Sequence, residues 1–431
     1  MNTPIFDFVK NYKDSKPKRL HMPGHKGSPI LGFEEYDITE IDGADNLYQA
    51  DGIIAQSEKN ATQLFECNTF YSTEGSSLCI WAMLYIAKIN GVKNVLAGRN
   101  AHKTFITAAA FLDIDIEWLW GNSSYLSCNI DPKTLEEEIK IHTPDAVYIT
   151  SPDYLGCISD INAISKLCKA HGIMLLVDCA HGSYLKFLPN SLYPTDLGAD
   201  MCCSSAHKTL PCLTGGAYLH IKSDNLSEKA KNALSLFGST SPSYLILQSL
   251  DKTNEFIFSD YKERLSDFIL KVEHTKKSLR SHGYCLYEDE PLKITICTKS
   301  YGYTGTDFAK ILRENSIECE FCDPDFTVLM LGIDTDLEYL KNTLFSIPIK
   351  PPITVFPPMI SKPQKAIGIR QAILSKSHKT HIKNAQGKIL ASLNVSCPPA
   401  VPIAVCGEII NEQIIDCFEY YGINECEIVS E

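Results

Sequence analysis

The apolar run from Ile173 to Val177, closed by Asp178, constrains the fold of this chain more than any other stretch. Consecutive apolar residues with a polar stop are typical of a strand that is buried on both faces of a sheet. In open α/β sheets, ligands bind beyond the carboxyl ends of such strands. The run therefore predicts an α/β fold, with the carboxylate of Asp178 at the edge of the sheet where ligands bind.

Strand-like and helix-like segments alternate along the 431 residues, which favours a mostly parallel sheet. Further strands are predicted at about 94–97, 115–119, 145–150, 199–203 and 216–221, with helices at about 54–65 and 162–170. After a long helix at about 259–281 come strands at 293–297 and 326–331 and helices at 305–314 and 337–345. The predicted domains are an N-terminal arm (1–50), a large domain (51–258) and a smaller C-terminal α/β domain (259–431).

Charge and composition exclude several classes of partner. The formal net charge of −12 makes nucleic acid a poor partner. The N-terminus has no basic region followed by an apolar core, and no apolar run is long enough to cross a bilayer. Seventeen scattered cysteines are typical of a reduced protein. We therefore expect a cytoplasmic protein without nucleic-acid or membrane partners.

The cysteine and histidine spacings do not predict a metal site. Cys319 and Cys322 form the one C-x-x-C pair, and zinc needs four ligands. His378 and His381 also lack further ligands nearby in the sequence, and we expect them at the surface.

A lysine follows the predicted strand at 199–203 and so reaches the same edge as Asp178. A lysine beside apolar walls loses its preference for the charged form and can form a Schiff base with an aldehyde. Pyridoxal phosphate needs such a lysine for its aldehyde and a carboxylate for its ring nitrogen. Lys208 and Asp178 therefore suggest this cofactor, although a solvated loop lysine and a strand-end cap would show the same spacing.

Small polar residues precede a long helical pattern that starts near Gly75. A helix N-terminus offers free backbone N–H groups, and the hydroxyls of Ser76 and Ser77 lie beside them. The stretch predicts a phosphate cradle, with plain N-capping by serine as the alternative.

Seven motifs together resemble the Orn/Lys/Arg decarboxylases, in their short bacterial form. They are HMPGHKG (21–27), DITE (37–40), RNAHKT (99–104), DCAHG (178–182), SSAHKTLPCLTGG (204–216), SPSYLILQSLD (241–251) and CPPAVPIAVCGE (397–408). The resemblance implies the aspartate-aminotransferase-like fold of pyridoxal-phosphate enzymes (fold type I), with a large seven-stranded sheet. It also implies decarboxylation of a basic amino acid, arginine first and then lysine or ornithine, to a polyamine or its precursor.

The resemblance implies a role for each matching residue around the cofactor ring. Lys208 would hold the aldehyde and Asp178 the ring nitrogen. His102 would stack on one face of the ring and Ala180 would pack on the other, with His181 beside it. Both His102 and His207 could instead be hydrogen-bonded packing residues.

The resemblance also implies a phosphate site shared between two subunits. Ser76, Ser77 and Ser205 would bind the phosphate, and His207 would contact it or assist proton transfer. Ser239 would reach it from the neighbouring subunit of a homodimer, unless it merely caps its own helix.

Departures from the family pattern put the choice of substrate in doubt. Cys179 stands where the family usually has Glu, and Ala400 where it usually has Gly. Glu74 brings a carboxylate close to the expected phosphate, which would be repulsive unless the carboxylate points away or meets a cation.

A basic substrate needs a carboxylate for its distal cation. The candidates in loops are Asp42, Asp45, Asp153 and Glu408, although a carboxylate in a loop is more often simply solvated.

The alternative functions are an aminotransferase or lyase reaction on the same fold, or a catalytically silent homologue. A plain nucleotide-binding protein would carry a glycine-rich phosphate loop that this chain lacks.

Overall fold

The computed structural model describes residues 1–121, 126–287, 290–359, 362–393 and 401–430. The α-helices there are α1 (Pro4–Asp14), α2 (Ile53–Phe65), α3 (Gly75–Ile89), α4 (Lys103–Phe111), α5 (Pro132–His142), α6 (Ile161–His171), α7 (Ala206–Thr209), α8 (Asp224–Ser227), α9 (Ala230–Phe237), α10 (Tyr244–Phe256), α11 (Lys262–Ser281), α12 (Gly305–Glu314), α13 (Leu337–Ser346), α14 (Ile369–Leu374) and α15 (Glu412–Tyr420). The strands are β1 (Asn68–Ser72), β2 (Asn94–Gly98), β3 (Asp115–Leu119), β4 (Ala146–Thr150), β5 (Met174–Asp178), β6 (Met201–Ser204), β7 (Ala217–Ile221), β8 (Lys293–Cys297), β9 (Phe321–Cys322), β10 (Phe326–Met330), β11 (Ser377–His381) and β12 (Glu425–Val429).

The main sheet has seven strands in the order β1-β7-β6-β5-β4-β2-β3. Strand β2 pairs with β3, β4 with β5, and β5 with β6 in parallel, whereas β7 runs antiparallel to both β6 and β1. The predicted α/β fold is confirmed, and the sheet is mixed because of β7. An antiparallel neighbour needs no helical crossover, so the short connection that carries Lys208 can join β6 directly to β7.

The central strands are buried along most of their length, as the apolar run predicted. Leu175, Leu176 and Val177 of β5 are at most 1% exposed. Each such side chain contributes about 1.5–3 kcal/mol by leaving water. This burial holds β5 in place and leaves Asp178, its last residue, at the carboxyl edge.

The chain forms two compact units, of which the first comprises residues 1–92, 146–151 and 161–266. The predicted N-terminal arm contains helix α1, whose Ile5 and Val9 are fully buried. The Asp251 carboxylate caps this helix by accepting from the backbone N–H groups of Ile5 and Phe6, at 2.9 and 3.0 Å. A carboxylate from α10 therefore does what an N-cap side chain does locally in most helices.

The second unit comprises residues 93–145, 152–160 and 267–431. It contains a three-stranded sheet in the order β8-β10-β9 and a ribbon formed by β11 and β12. The ribbon packs over an apolar cluster that includes Ile410, Ile414 and Phe418. His378 and His381 lie exposed on β11, as expected from the sequence.

Two helix boundaries differ from the expectations. A π-helical turn, Ile257–Tyr261, joins α10 to α11, so the helix expected from 259 begins as α11 at Lys262. Ser243 caps α10 and Pro242 precedes it, so the alternative that Ser239 caps this helix is wrong. No helix in the described ranges combines the length and the apolar composition that crossing a membrane requires.

Candidate active site

The carboxyl ends of β5 and β6 bring the two principal candidate residues to one edge. Asp178 ends β5, and the one-turn helix α7, which carries Lys208, begins two residues after the end of β6. The N–H of Ser205 donates to the Ala180 carbonyl at 3.3 Å, and the N–H of Lys208 donates to the Ser205 carbonyl at 3.2 Å. These backbone bonds tie the loop after β5 to the segment that holds the lysine.

The Asp178 carboxylate is 2% exposed and is held at both oxygens. Oδ1 accepts from the Ala180 N–H at 3.1 Å and from the Cys203 thiol at 3.6 Å. Oδ2 accepts from the Tyr148 hydroxyl at 3.2 Å. A carboxylate can remain buried when donors replace its water, and these three groups do so.

The Lys208 amino group lies 3.0 Å from Nε2 of His181. His181 is buried in the loop after β5, whereas Lys208 is partly exposed. The two nitrogens are close enough to share a proton. The predicted neighbours Ala180 and His181 therefore do lie on the same edge as Lys208.

Hydroxyl groups from two segments meet at the N-terminus of α3, a helix of fifteen residues. The Ser205 hydroxyl donates to the Ser76 hydroxyl at 3.0 Å, and Ser77 is exposed beside it. Gly75 starts the helix with φ of +70°, and its N–H donates to the Gly215 carbonyl at 2.7 Å. The arrangement offers hydroxyls and a helix N-terminus to an anion.

The His207 side chain lies beside the same helix terminus. Its Nδ1 is 3.0 Å from the Gly216 carbonyl, and a Cβ built on Gly75 would lie 4.0 Å from its Cε1. The role of His207, a contact with the phosphate or help in proton transfer, stays a prediction.

Glu74 turns toward the segment before α10. Its Oε1 accepts from the backbone N–H of Ser239 at 2.6 Å. This bond gives the carboxylate a neutral donor at the edge of the predicted phosphate cradle. Ser239 is exposed, and its contact with the phosphate of a neighbouring subunit stays a prediction.

His102 belongs to the second unit, where it follows β2 and caps α4. Its Nδ1 accepts from the Thr104 N–H at 3.2 Å, and the residue is partly exposed. This hydrogen bond defines one ring nitrogen as the acceptor. The predicted stacking of His102 on the cofactor stays a prediction.

Three of the four candidate carboxylates for the substrate cation are committed to their own chain. Asp45 accepts from five backbone N–H groups of residues 46–55. Asp153 accepts from the backbone of residues 155–157 and from the Ser127 hydroxyl. Glu408 pairs with Arg99 at 3.1 Å, both buried. The fourth candidate, Asp42, is exposed.

Tyr148 and Cys203 contact Asp178, and the sequence did not single them out. Tyr148 lies in the apolar strand β4, where an aromatic residue is ordinary core material. Its neighbour in register is Leu176, two residues before Asp178. The sequence alone does not predict this pairing, because it does not give the order of the strands.

The family model for the Orn/Lys/Arg decarboxylase major domain matches residues 3–290. The chain belongs to this family. Arginine decarboxylase of Bacillus subtilis is 29% identical, with 96% of this chain and 92% of that protein covered. Arginine decarboxylase of Halalkalibacterium halodurans is 27% identical, with 95% and 91% covered. The chain is accordingly a decarboxylase, and the resemblance seen in its motifs is confirmed.

Solved structures of lysine decarboxylases share the fold over nearly all of the chain. The Francisella novicida enzyme has a TM-score of 0.81 at 16% identity, with 99% of this chain and 81% of that chain covered. Alanine–glyoxylate aminotransferase from Nostoc has a TM-score of 0.54 at 17% identity, with 68% and 87% covered. Likeness at these identities supports the predicted fold of type I.

Proposed function

We propose that this decarboxylase uses pyridoxal phosphate and acts on a basic amino acid, arginine first and then lysine or ornithine. The observation that carries the proposal is the meeting of three features on one edge of the first unit. They are the Lys208 amine beside His181, the buried Asp178 carboxylate, and the serine hydroxyls at the N-terminus of α3.

These features match the three functional groups of the cofactor, its aldehyde, its ring nitrogen and its phosphate. An aldehyde needs an amine, and Lys208 is partly exposed. A protonated ring nitrogen needs a carboxylate, and Asp178 is held at a strand end. A phosphate needs N–H and hydroxyl donors, which α3, Ser76 and Ser205 supply. When bound, the cofactor withdraws electrons from the substrate so that its carboxylate can leave as carbon dioxide.

The residues of this chain then hold and move protons. With the cofactor bound, Asp178 would keep a proton on the ring nitrogen, which would maintain the withdrawal of electrons from the substrate. Lys208, whose amine lies 3.0 Å from His181, would return a proton to the substrate carbon. His207 is beside the helix terminus, where it serves the phosphate.

The substrate class rests on relatives and on charge. The curated relatives from Bacillus subtilis and Halalkalibacterium halodurans are named arginine decarboxylases, and the solved structure from Francisella novicida is of a lysine decarboxylase. A guanidinium favours a bidentate carboxylate, whereas an ammonium needs only a point charge. Of the four carboxylates that the sequence offers, we favour Asp42, because the other three are held by their own chain.

The product assay tests the reaction and the substrate together. The protein, supplied with pyridoxal phosphate, is incubated with arginine, lysine, ornithine or norleucine, and products are identified by mass. We expect the amine formed by loss of carbon dioxide, with the highest kcat/KM for arginine. Lys208→Ala is the inactive control. A keto acid product would contradict decarboxylation, and a preference for norleucine would contradict the need for a distal cation.

A further inference from the structure

Tyr148 donates its hydroxyl to the carboxylate that we assign to the cofactor ring. Its side chain is fully buried, and its hydroxyl lies 3.2 Å from Oδ2 of Asp178. In the parallel register of β4 and β5, Thr150 lies opposite Asp178 and Tyr148 opposite Leu176. Since side chains alternate along a strand, Tyr148 and Thr150 point to the same face, so the position of Tyr148 in β4 sets this contact.

A second donor approaches the same carboxylate from the other neighbouring strand. Cys203 lies opposite Asp178 in the register of β5 and β6, and its thiol donates to Oδ1 at 3.6 Å. The Ala180 N–H donates to the same oxygen at 3.1 Å. The carboxylate is thus held from both strands and from its own loop.

Both side-chain donors keep their protons. Burial, and next the charge of Asp178, raise the pKa of Tyr148 well above its ordinary value. Burial and the same charge raise the pKa of the Cys203 thiol. Neither group ionises near neutral pH, so each remains a donor to the carboxylate.

We propose that Tyr148 is a positioning residue that keeps the shared proton on the ring nitrogen of the cofactor rather than on Asp178. This inference rests on the proposed function. With the cofactor bound, one proton would lie between two bases, the ring nitrogen and the Asp178 carboxylate, and it would reside on the stronger base. A hydrogen bond donated to the carboxylate stabilises its charged form and makes it the weaker base.

Loss of the donor changes where that proton resides without changing the number of protons. The charged pair, a carboxylate with a protonated ring nitrogen, becomes a carboxylic acid with a neutral ring nitrogen. A neutral ring withdraws electrons less strongly, so the step that releases carbon dioxide slows. Substrate binding does not depend on this proton, and KM should change little.

The test compares Tyr148→Phe with the wild type, both carrying pyridoxal phosphate labelled with ¹⁵N in its ring. Phenylalanine keeps the ring of Tyr148 and removes only the hydroxyl. We expect the ¹⁵N resonance to move toward that of a neutral ring nitrogen, with kcat lower by about tenfold and KM within about twofold. Cys203→Ala should show the same changes more weakly, because a thiol is a weak donor.

The matched control is Tyr284→Phe in the second unit. Tyr284 is also buried, and its hydroxyl donates to the Leu344 carbonyl at 2.6 Å, so this variant too loses one buried hydrogen bond. Its ring-nitrogen resonance and kcat should match the wild type.

The outcomes separate the inference from the proposed function. If the wild type binds the cofactor at Lys208 but Tyr148→Phe keeps the wild-type resonance and kcat, the inference is wrong and the function stands. If Tyr148→Phe does not fold, Cys203→Ala decides by the same two readouts. If the wild type does not bind the cofactor, both the function and the inference fall.

Discussion

Three buried carboxylates are held in place by hydrogen bonds from within the chain. Asp178 and Asp153 are each 2% exposed, and Asp251 is fully buried, yet each accepts several hydrogen bonds. Their partners differ in kind, because Asp153 and Asp251 mainly accept from backbone, whereas two side chains hold Asp178. Backbone donors fix a loop or a helix end to the carboxylate. Side-chain donors can be removed by mutation, so the hydrogen bonds to Asp178 can be changed one at a time.

Asp153 predicts a pH-dependent contribution to stability. Burial raises its pKa from 3.8 to about 6, against the opposing effect of its hydrogen bonds. Because the folded pKa lies above the unfolded one, this group favours folding fully below pH 3.8, and that contribution is lost as the pH rises to about 6. Asp153→Asn lacks this dependence.

The measurement is the unfolding free energy of both proteins from pH 3.5 to 7, by urea denaturation. The wild type minus Asp153→Asn difference should fall by about 3 kcal/mol across this range, at about 1.36 kcal/mol for each pKa unit. Asp267→Asn, a substitution of the same kind at an exposed position, is the control. A flat difference for Asp153→Asn as well would show that its carboxyl group ionises alike in both states.

Residue types and spacing were enough to predict which residues meet at this edge of the sheet, but not the groups that hold Asp178 in place. Lys208, Asp178 and the serines follow strands or precede a helix, and local patterns report such positions. Tyr148 and Cys203 were missed because their contacts depend on which strands lie next to β5. Three loop carboxylates were candidates for the substrate cation but are already bonded within the chain. Backbone N–H groups donate to Asp45 and Asp153, and Arg99 pairs with Glu408.

At the scale of elements, the connection from β6 to β7 carries the site and depends on glycine. Gly215 has φ of +104°, and a Cβ built there would lie 2.8 Å from the Thr73 carbonyl oxygen and 2.9 Å from the Ile246 side chain. Its own carbonyl accepts from the N–H of Gly75, the first residue of α3. The connection and the N-terminus of α3 therefore pack directly backbone against backbone, with no room for a side chain at Gly215.

Gly215→Ala should destabilise the protein and weaken the cofactor site together. Gly172→Ala is the matched control, because Gly172 also has positive φ, +68°, but no atom within 4 Å of its built Cβ. We expect Gly172→Ala to cost about 1–2 kcal/mol and Gly215→Ala about 1–3 kcal/mol more. Urea denaturation measures the cost, and titration measures pyridoxal-phosphate affinity, which only Gly215→Ala should lower. Equal costs for both variants would contradict the close fit.

Long elements with clear periodicity were predicted well, and elements that depend on distant partners were not. The strand at 293–297 and the helix at 305–314 match β8 and α12 residue for residue. Helix α1 was not predicted, because the carboxylate that caps it, Asp251, comes from α10. Strand β1 was missed, since its polar sequence gains its extended form by pairing with β7, far along the chain.

At the scale of the whole molecule, we predict a homodimer in which Ser239 of one subunit reaches the site of the other. The exposed position of Ser239 beside Glu74, at the rim of the phosphate cradle, supports this arrangement. Sedimentation equilibrium should give twice the chain mass of 48.0 kDa, and activity should fall on dilution to monomer. A fully active monomer would contradict shared sites.

The central claim is that Lys208 holds pyridoxal phosphate, and one measurement tests it most directly. Borohydride reduction fixes the cofactor covalently to the lysine that holds its aldehyde, and peptide mass spectrometry then locates it. We predict that the modified peptide contains Lys208, and that Lys208→Ala protein carries no fixed cofactor. A modified peptide from any other lysine, or an unmodified wild-type protein, would contradict the claim.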